Sequence, residues 1–331
     1  MDLQHKIYIY LSLAILIFVI IFAIAFGMGN NQYALKINNE NVSLAEFNGY
    51  LKIVKDQMET SAKQQDNSLK SEDIWKMKLE GTNVADYAKQ SAETWVKDIK
   101  VTNQKAAELG VKLTDDDKDL ITQNSDMLKK YGFPEKYIDK ASRELTVYSK
   151  VIDTVTKDVK APDWDLSKYY KVRHILFFTI DQNTGAEFPA DKIKEVQAKA
   201  QEVLKKVNAG EDFSSLAKQY SEDPGSKDKN GEFDFFMGQA VTEFQNAVKK
   251  LNPGETTSTL IKTEYGYHII KLDSVSEPTK EEVNAAKQTL EQTLQQSKNA
   301  EFESKVNVWI QSSKIITNDN VINSIDVSSL K

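Results

Sequence analysis

The chain has 331 residues, about twice the ~150 residues that are common for one domain, so two domains are expected. An apolar fraction of 40% and a charged fraction of 28% exclude a disordered or collagen-like protein, and the absence of cysteine excludes disulfides, thiolate metal sites, cysteine nucleophiles and a lipid-modified cysteine. The net charge of −6 gives no electrostatic reason to expect nucleic acid as a partner.

The N-terminus carries an apolar run without a charge at positions 7–28. At about 1.5 Å per residue, a helix of this length crosses a hydrocarbon layer of ~30 Å. Lys6 precedes the run and no basic residue follows it before Lys36. The positive-inside rule therefore predicts a cytoplasmic segment (1–6), a single transmembrane anchor (7–29) in the cell membrane and an extracytoplasmic remainder. The single anchor and the absence of cysteine favour a Gram-positive bacterium. A cleaved signal peptide ending at the small-x-small sequence Ala-Ile-Ala is the alternative.

The region 33–160 is predicted to be mainly helical. It opens with two short extended segments around an Asn-rich turn within 33–42. Ser43 and Glu46 then form an S-x-x-E capping box in front of the first helix. The apolar spacing stays helical from there to the end of the region.

The middle region, 168–275, has a different pattern. Pro162 marks the boundary, because the helical period stops there. Beyond it, 172–178 alternates as a strand, 190–208 is an amphipathic helix, and 265–272 closes the region as another strand. This order predicts a compact α+β domain.

The C-terminal region, 280–331, is predicted as one long helix to about Ser312 and an extended tail over 314–326. A single helix and a short tail cannot bury their apolar faces alone. We therefore expect them to dock on the N-terminal helices, which makes the middle domain an insertion in a discontinuous one.

Two of the three histidines lie in the first and last predicted strands of the middle region. Alternation with period two places His174 on one face with Val172 and Leu176, and His268 on one face with Ile270. Each imidazole then needs a hydrogen-bond partner in apolar surroundings. Either histidine alone is more often a satisfied core residue than a functional one.

Five segments of the middle region resemble, in order and spacing, the parvulin-type peptidyl-prolyl cis–trans isomerase domain. They are VRHILFF (172–178), GEDFSSLAKQYSEDPGS (210–226), GEFDFFMGQAVTEFQNAV (231–248), LNPGE (251–255) and KTEYGYHIIKL (262–272). The resemblance implies a small antiparallel sheet with surrounding helices. It also implies isomerisation of X-Pro bonds without a cofactor or a metal.

The whole layout is similar to the membrane-tethered extracytoplasmic foldases of the PrsA and SurA-like group. The resemblance implies an α+β chain whose parvulin domain is inserted in a mainly helical domain, built from 33–160 and 280–331. The PrsA lipoproteins carry a lipidated cysteine that this chain lacks. A transmembrane helix is expected to replace the lipid.

The resemblance also assigns catalytic residues. His174 and His268 form the paired-histidine floor of the site, linked through hydroxyls for which Thr263 is the matching residue. Asp223 occupies the position where the family carries Asp or Cys beside the substrate carbonyl. These four residues are the expected catalytic set.

The substrate-binding residues follow from the same resemblance. Phe244 matches the aromatic wall of the proline pocket, and Phe235 and Tyr265 are its expected neighbours. Ala240 stands where many members have Met or Leu, so a wider or shallower proline seat is expected. The sequence Asn-Gly-Glu-Phe at 230–233 replaces the usual Gly-Gly-Asp-Leu, which predicts an altered loop.

The expected substrate is a generic, unphosphorylated X-Pro bond in an unfolded or partly folded exported protein. Phosphate-selective parvulins bind their phosphate with basic residues in the loop after the first strand, and here 179–188 contains no Lys or Arg. The membrane is a partner through the N-terminal helix. The sequence leaves open whether the chain is a monomer or a homodimer.

Two other functions remain open. A holdase-type chaperone with a weakly active or inactive parvulin domain would use aromatic side chains of the helical region as client contacts, namely Trp75, Tyr87, Trp95, Tyr131 and Phe133. A metalloprotein would use His174, His268 and Asp223, but no ligand-spacing motif supports it.

Overall fold

The computed structural model describes residues 33–79 and 81–330. The predicted cytoplasmic segment (1–6) and transmembrane anchor (7–29) lie outside the described residues. Over the described ranges, no helix is both apolar enough and long enough to cross a membrane.

The described chain divides into two compact units. The first is discontinuous and contains residues 33–159 and 297–330, and the second contains residues 160–296. The division falls inside a long helix, Lys280–Gln311. The sequence pattern assigns this whole helix to the first domain, because apolar spacing alone does not show at which residue a helix leaves one unit of the fold.

The first unit begins with a β-hairpin and continues with helices. Its elements before the insertion are β1 (Tyr33–Ile37), β2 (Glu40–Ser43), α1 (Leu44–Gln65), α2 (Ser71–Ile74), β3 (Lys78–Leu79), β4 (Thr82–Asn83), α3 (Val84–Ala106), α4 (Lys118–Lys130) and α5 (Glu135–Val155). The antiparallel pair β3–β4 interrupts a region that was predicted as helical throughout. Strands of two residues are too short to show a period-two alternation.

The second unit is a four-stranded antiparallel sheet covered by helices on both faces. Its elements are β5 (Asp165–Phe178), α6 (Ala190–Asn208), α7 (Phe213–Tyr220), β6 (Glu232–Met237), α8 (Thr242–Val248), β7 (Ile261–Lys262) and β8 (Gly266–Ser276). The strand order is β6-β5-β8-β7. Helices α6 and α7 pack on one face of the sheet, and α8 packs on the other.

The chain returns to the first unit through the second half of α9 (Lys280–Gln311), followed by β9 (Ile315–Thr317) and α10 (Asp319–Asn323). Phe302 and Val306 pack on α3 and α5, and β9 pairs with β1. The prediction of an extended tail over 314–326 is wrong beyond β9. The chain turns into α10 there because a helical turn buries Ile322 in the core.

The core of the first unit contains the aromatic side chains that the holdase hypothesis assigned to client contacts. Trp75 and Phe133 are only 8% and 4% exposed. Tyr87, Trp95 and Tyr131 are partly buried and pack against the same core. These five residues therefore give a client-binding role no specific support.

A buried ion cluster joins the first hairpin to three helices of the first unit. The Nζ atom of fully buried Lys100 lies 2.7 Å from Glu46, 2.6 Å from Glu144 and 3.2 Å from Glu40. Burial lowers the pKa of Lys100, but Glu144 and Glu46 outweigh burial and raise that pKa above its usual value. Lys100 is therefore charged, and its charge compensates the carboxylates buried around it.

This cluster also changes the expected helix cap. The Ser43 hydroxyl accepts a hydrogen bond from the Glu46 backbone N–H at 3.2 Å, so Ser43 does cap α1. The Glu46 side chain, however, bonds Lys100 instead of completing a reciprocal capping box. A buried ammonium is a stronger partner for a carboxylate than a helix-terminal amide.

We predict that Lys100→Met lowers the free energy of unfolding by about 3–5 kcal/mol, because Glu46 and Glu144 lose their closest cation. The exposed Lys140 is a weaker partner, at 4.0 Å from Glu46 and 3.6 Å from Glu144. The control is Lys97→Met in the same helix, where a partly exposed pair with Glu93 contributes less than about 1 kcal/mol. Urea unfolding followed by tryptophan fluorescence measures both, since Trp75, Trp95 and Trp309 lie in the first unit. Equal losses in the two variants would contradict the role assigned to Lys100.

Candidate active site

The register of β5 and β8 brings the two histidines together. His174 pairs with Ile270, and His268 pairs with Leu176, so the two imidazoles are diagonal neighbours on one face of the sheet. Ile270 on this face packs with the side chains of α8. The opposite face carries Ile175 and other apolar residues beneath α6 and α7. Both histidines therefore lie on the face covered by α8, where alternation placed them with apolar residues.

The two imidazoles are buried and nearly parallel. His174 is 6% exposed and His268 is 4% exposed. Their ring planes are inclined by 17°, their centroids are 5.6 Å apart, and their Nδ1 atoms are 3.3 Å apart. One of the two Nδ1 atoms must donate a hydrogen to the other, since two facing lone pairs would repel.

Polar groups at each end complete a continuous hydrogen-bond chain. The Thr263 hydroxyl lies 2.9 Å from His268 Nε2, and Asp223 Oδ2 lies 3.0 Å from His174 Nε2. All four imidazole nitrogens therefore have a polar neighbour. We call the sequence Thr263–His268–His174–Asp223 the histidine chain.

The ionisation of the histidine chain follows from its surroundings. Burial, together with the neighbouring His174, lowers the pKa of His268 to about 3, so this imidazole is neutral near pH 7. Hydrogen bonds from His174 and Ser226 hold the pKa of Asp223 well below its usual value. Asp223 is therefore a carboxylate, which can only accept, and His174 Nε2 carries the hydrogen between them.

One direction of hydrogen bonding satisfies all of these atoms. Nε2 of His174 donates to Asp223, and Nδ1 of His174 accepts from the Nδ1–H of His268. Nε2 of His268 then accepts the hydroxyl hydrogen of Thr263. The Thr263 oxygen in turn accepts from the backbone N–H of Tyr265 at 3.2 Å. In this arrangement every hydrogen points towards the Asp223 carboxylate.

An aromatic wall stands against both imidazoles. The Phe244 ring meets His174 and His268 edge-on, with centroid distances of 5.5 Å to each. Phe235 packs edge-on to Phe244 at 5.9 Å. Phe233, which the sequence analysis missed, stacks on Phe235 at 5.4 Å and lies 5.7 Å from the His174 ring. Period two along β6 would have found it, because residues 233 and 235 share a face.

Of the other two expected binding residues, Ala240 adjoins this wall and Tyr265 lies next to Thr263. Ala240 is partly buried against the same apolar cluster. The Gln245 side-chain amide donates to the Ala240 carbonyl, which ties the loop carrying Ala240 to α8. Tyr265 is 44% exposed in the turn between β7 and β8. The backbone of Tyr265 connects it to the site: its N–H donates to the Thr263 hydroxyl, and its carbonyl accepts from the Thr179 N–H.

The loop before β6 closes tightly onto β5. The His174 N–H donates to the Gly231 carbonyl at 2.9 Å. Gly231 has φ +83°, and a Cβ there would lie 2.7 Å from the His174 carbonyl oxygen. Asn230, which departs from the family pattern, has φ 57° in the left-handed region that Asn tolerates. Asn230 therefore adopts the left-handed backbone conformation that the glycine of the family pattern would adopt.

The same atoms do not form a metal site. The facing Nδ1 atoms of His174 and His268 are directed at each other, and Asp223 bonds the far nitrogen of His174. Metal ligands must instead converge on one point at about 2 Å. Within 33–79 and 81–330, no group of three or more His, Cys, Asp or Glu side chains is placed to hold an ion.

Comparison with known families identifies the second unit. A family profile described as the PPIC-type PPIASE domain matches residues 157–276. This range contains the sheet, the histidine chain and the aromatic wall. The second unit is therefore a peptidyl-prolyl cis–trans isomerase domain of the parvulin type.

Known proteins extend the similarity beyond this domain. The chain is 29% identical over 291 residues to "Foldase protein PrsA" of Caldanaerobacter subterraneus subsp. tengcongensis, covering 84% of this chain and 85% of that protein. It is 34% identical to the Clostridium botulinum (strain Hall) protein of the same name, covering 57% of this chain and 56% of that protein. For the Geobacillus sp. (strain WCH70) protein, the identity is 33%, with 58% of this chain and 74% of that protein covered. The chain belongs to the PrsA family of foldases, whose members carry a peptidyl-prolyl isomerase domain and assist protein folding.

Proposed function

We propose that the second unit isomerises unphosphorylated X-Pro bonds in unfolded exported proteins, and that the reaction takes place between the histidine chain and the aromatic wall. The observation that carries this proposal is the position of Phe244. Its ring contacts both buried imidazoles, next to a carboxylate that is partly exposed. An apolar surface and a fixed charge thus adjoin each other.

The reaction needs no nucleophile. Rotation about the X-Pro bond requires loss of amide resonance, with a barrier of roughly 18–20 kcal/mol for a peptide bond, and it makes or breaks no covalent bond. A protein accelerates it by binding the twisted amide better than the planar one. In this site Phe244, Phe235 and Phe233 would hold the proline ring while the preceding residue turns.

Asp223 supplies the electrostatic part of this mechanism. Resonance in the planar amide places partial negative charge on the carbonyl oxygen, and rotation removes it. A carboxylate fixed beside that oxygen disfavours the planar, charge-separated form and so lowers the barrier. The neutral His268 adds no positive charge that would cancel this effect.

The charges around the loop after β5 support an unphosphorylated substrate. Asp181 and Glu187 lie in or next to this loop, and Glu222 bonds the backbone N–H of Phe178 at its start. A phosphate with about two negative charges would therefore find no basic side chain within this loop (179–188) to bind it.

The proposed setting is the outer face of a Gram-positive cell membrane. An anchor at 7–29 would keep the bulk of the chain extracytoplasmic, where exported proteins arrive unfolded. Clients, the membrane and a second copy of the chain are the partners that this setting allows. Nucleic acid is not among them, given the net charge of −6.

Asp223→Asn tests the assignment. The change keeps the shape of the side chain and removes its charge, so we expect kcat/KM for Ala-Ala-Pro-Phe peptides to fall at least about tenfold, or ~1.4 kcal/mol. Asp181→Asn makes the same chemical change at an exposed loop position and should stay within about twofold. Equal rates for the two variants would exclude Asp223 from the mechanism.

The neutral state of His268 gives a pH prediction. Its pKa is about 3 in the folded protein and ~6.5 unfolded, so the unfolded chain takes up the proton first on acidification. The folded state therefore loses about 1.4 kcal/mol per pH unit below pH 6.5 through this group, down to about pH 3.

Two measurements check this prediction. Between pH 7 and pH 5, the free energy of unfolding should fall by about 2 kcal/mol more in the natural chain than in His268→Gln. The ring Cε1–H NMR signal of His268, assigned by its absence from that variant, should not move over this range. A signal titrating near pH 6.5 would contradict a neutral, buried His268.

A further inference from the structure

The sequence pattern does not assign Ser226 to the site, although its hydroxyl is buried there and bonds Asp223. The residue lies in the loop between α7 and β6 and is only 1% exposed. We propose that Ser226 is a positioning residue, which donates to Oδ2 of Asp223 and fixes this carboxylate in its ionised form beside His174. This inference rests on the proposed function of Asp223.

The contacts of Ser226 converge on one carboxylate oxygen. Its hydroxyl donates to Asp223 Oδ2, and its oxygen lies 3.0 Å from His174 Nε2. Asp223 Oδ2 thus accepts from a hydroxyl and an imidazole together. The other oxygen, Oδ1, accepts from the Gly225 backbone N–H at 3.2 Å. Three donors on two oxygens leave the carboxylate a single orientation.

The loop holds the hydroxyl in place. The Ser226 carbonyl accepts from the backbone N–H groups of Lys229 at 2.9 Å and Gly231 at 2.8 Å. The Lys227 N–H donates to the Asp223 carbonyl at 3.0 Å. Because both ends of the turn are bonded, the backbone keeps the serine side chain directed at Asp223.

The electrostatics agree with this geometry. The groups facing Asp223 are His174 on β5 and, from its own loop, the Ser226 hydroxyl and the Gly225 N–H, with His268 on β8 next to His174. Hydrogen bonding to His174 is the largest cause that lowers the pKa of Asp223, and Ser226 adds to it. Without the hydroxyl, the carboxylate binds a proton at higher pH.

The test compares kinetics and the Asp223 carboxyl signal of the full chain at pH 7. Ser226→Ala should lower kcat for Ala-Ala-Pro-Phe peptides about three- to tenfold while KM stays within about twofold, because the carboxylate loses one of its donors and the aromatic wall is unchanged. Ser226→Cys, which has only a weak donor, should behave alike. Ser226→Thr retains the hydroxyl and should restore the natural kcat. The ¹³C carboxyl NMR signal of Asp223 should move in the Ala and Cys variants and stay in place in the Thr variant.

Ser221→Ala is the matched control. The Ser221 hydroxyl is also buried, but it accepts from the backbone N–H groups of Leu176 and Asp223 and so orders the same segment without touching the carboxylate. This variant should lose stability while its kcat and the Asp223 carboxyl signal stay in place. Equal losses of kcat in Ser221→Ala and Ser226→Ala, or an unchanged Asp223 carboxyl signal in Ser226→Ala, would overturn the proposal.

The carboxyl signal separates this inference from the proposed function. If Asp223→Asn keeps full activity, the proposed mechanism fails. The NMR signal of Asp223 in the Ser226 variants then still shows whether the hydroxyl positions the carboxylate.

Discussion

The proposed active site depends on one constraint, which is that two buried imidazoles must satisfy each other's nitrogens. A buried polar nitrogen without a partner costs about 1–3 kcal/mol, so each remaining nitrogen of the pair needs a polar neighbour. The register of β5 and β8 sets the 3.3 Å contact between the Nδ1 atoms. Thr263 and Asp223 occupy the two remaining nitrogens. The histidine chain thereby holds the negative charge of Asp223 at one of its ends. Phe244 adds an apolar surface beside the two imidazoles.

Much of this arrangement could be predicted from the sequence, because strands obey a simple period. Alternation placed His174 and His268 on the apolar face, and the family resemblance supplied Thr263, Asp223 and Phe244. The loop 224–231 could not be predicted in the same way. The contact of Ser226 with Asp223 depends on a turn conformation and on hydrogen bonds to strand β5 rather than on any periodic pattern.

The first unit was less predictable for a related physical reason. The partners of Lys100 lie 54 and 44 residues away along the chain, so no local pattern indicates that this lysine is buried or that Glu46 leaves its helix cap to reach it. The same applies to the tail, where burial of Ile322 overrides a locally extended pattern. Local signals predicted the type of most elements, whereas the polar contacts between elements required the fold.

The central claim is that the proline of the substrate sits on the aromatic wall beside the histidine chain. Isotope-filtered NOE measurements on the full chain, with labelled Phe rings and Ala methyl groups and an unlabelled Ala-Ala-Pro-Phe peptide, test it most directly. We predict NOEs from the proline ring protons to Phe244 and to the Ala240 methyl group. Proline NOEs confined to residues of the first unit, under conditions in which the peptide is isomerised, would contradict the account.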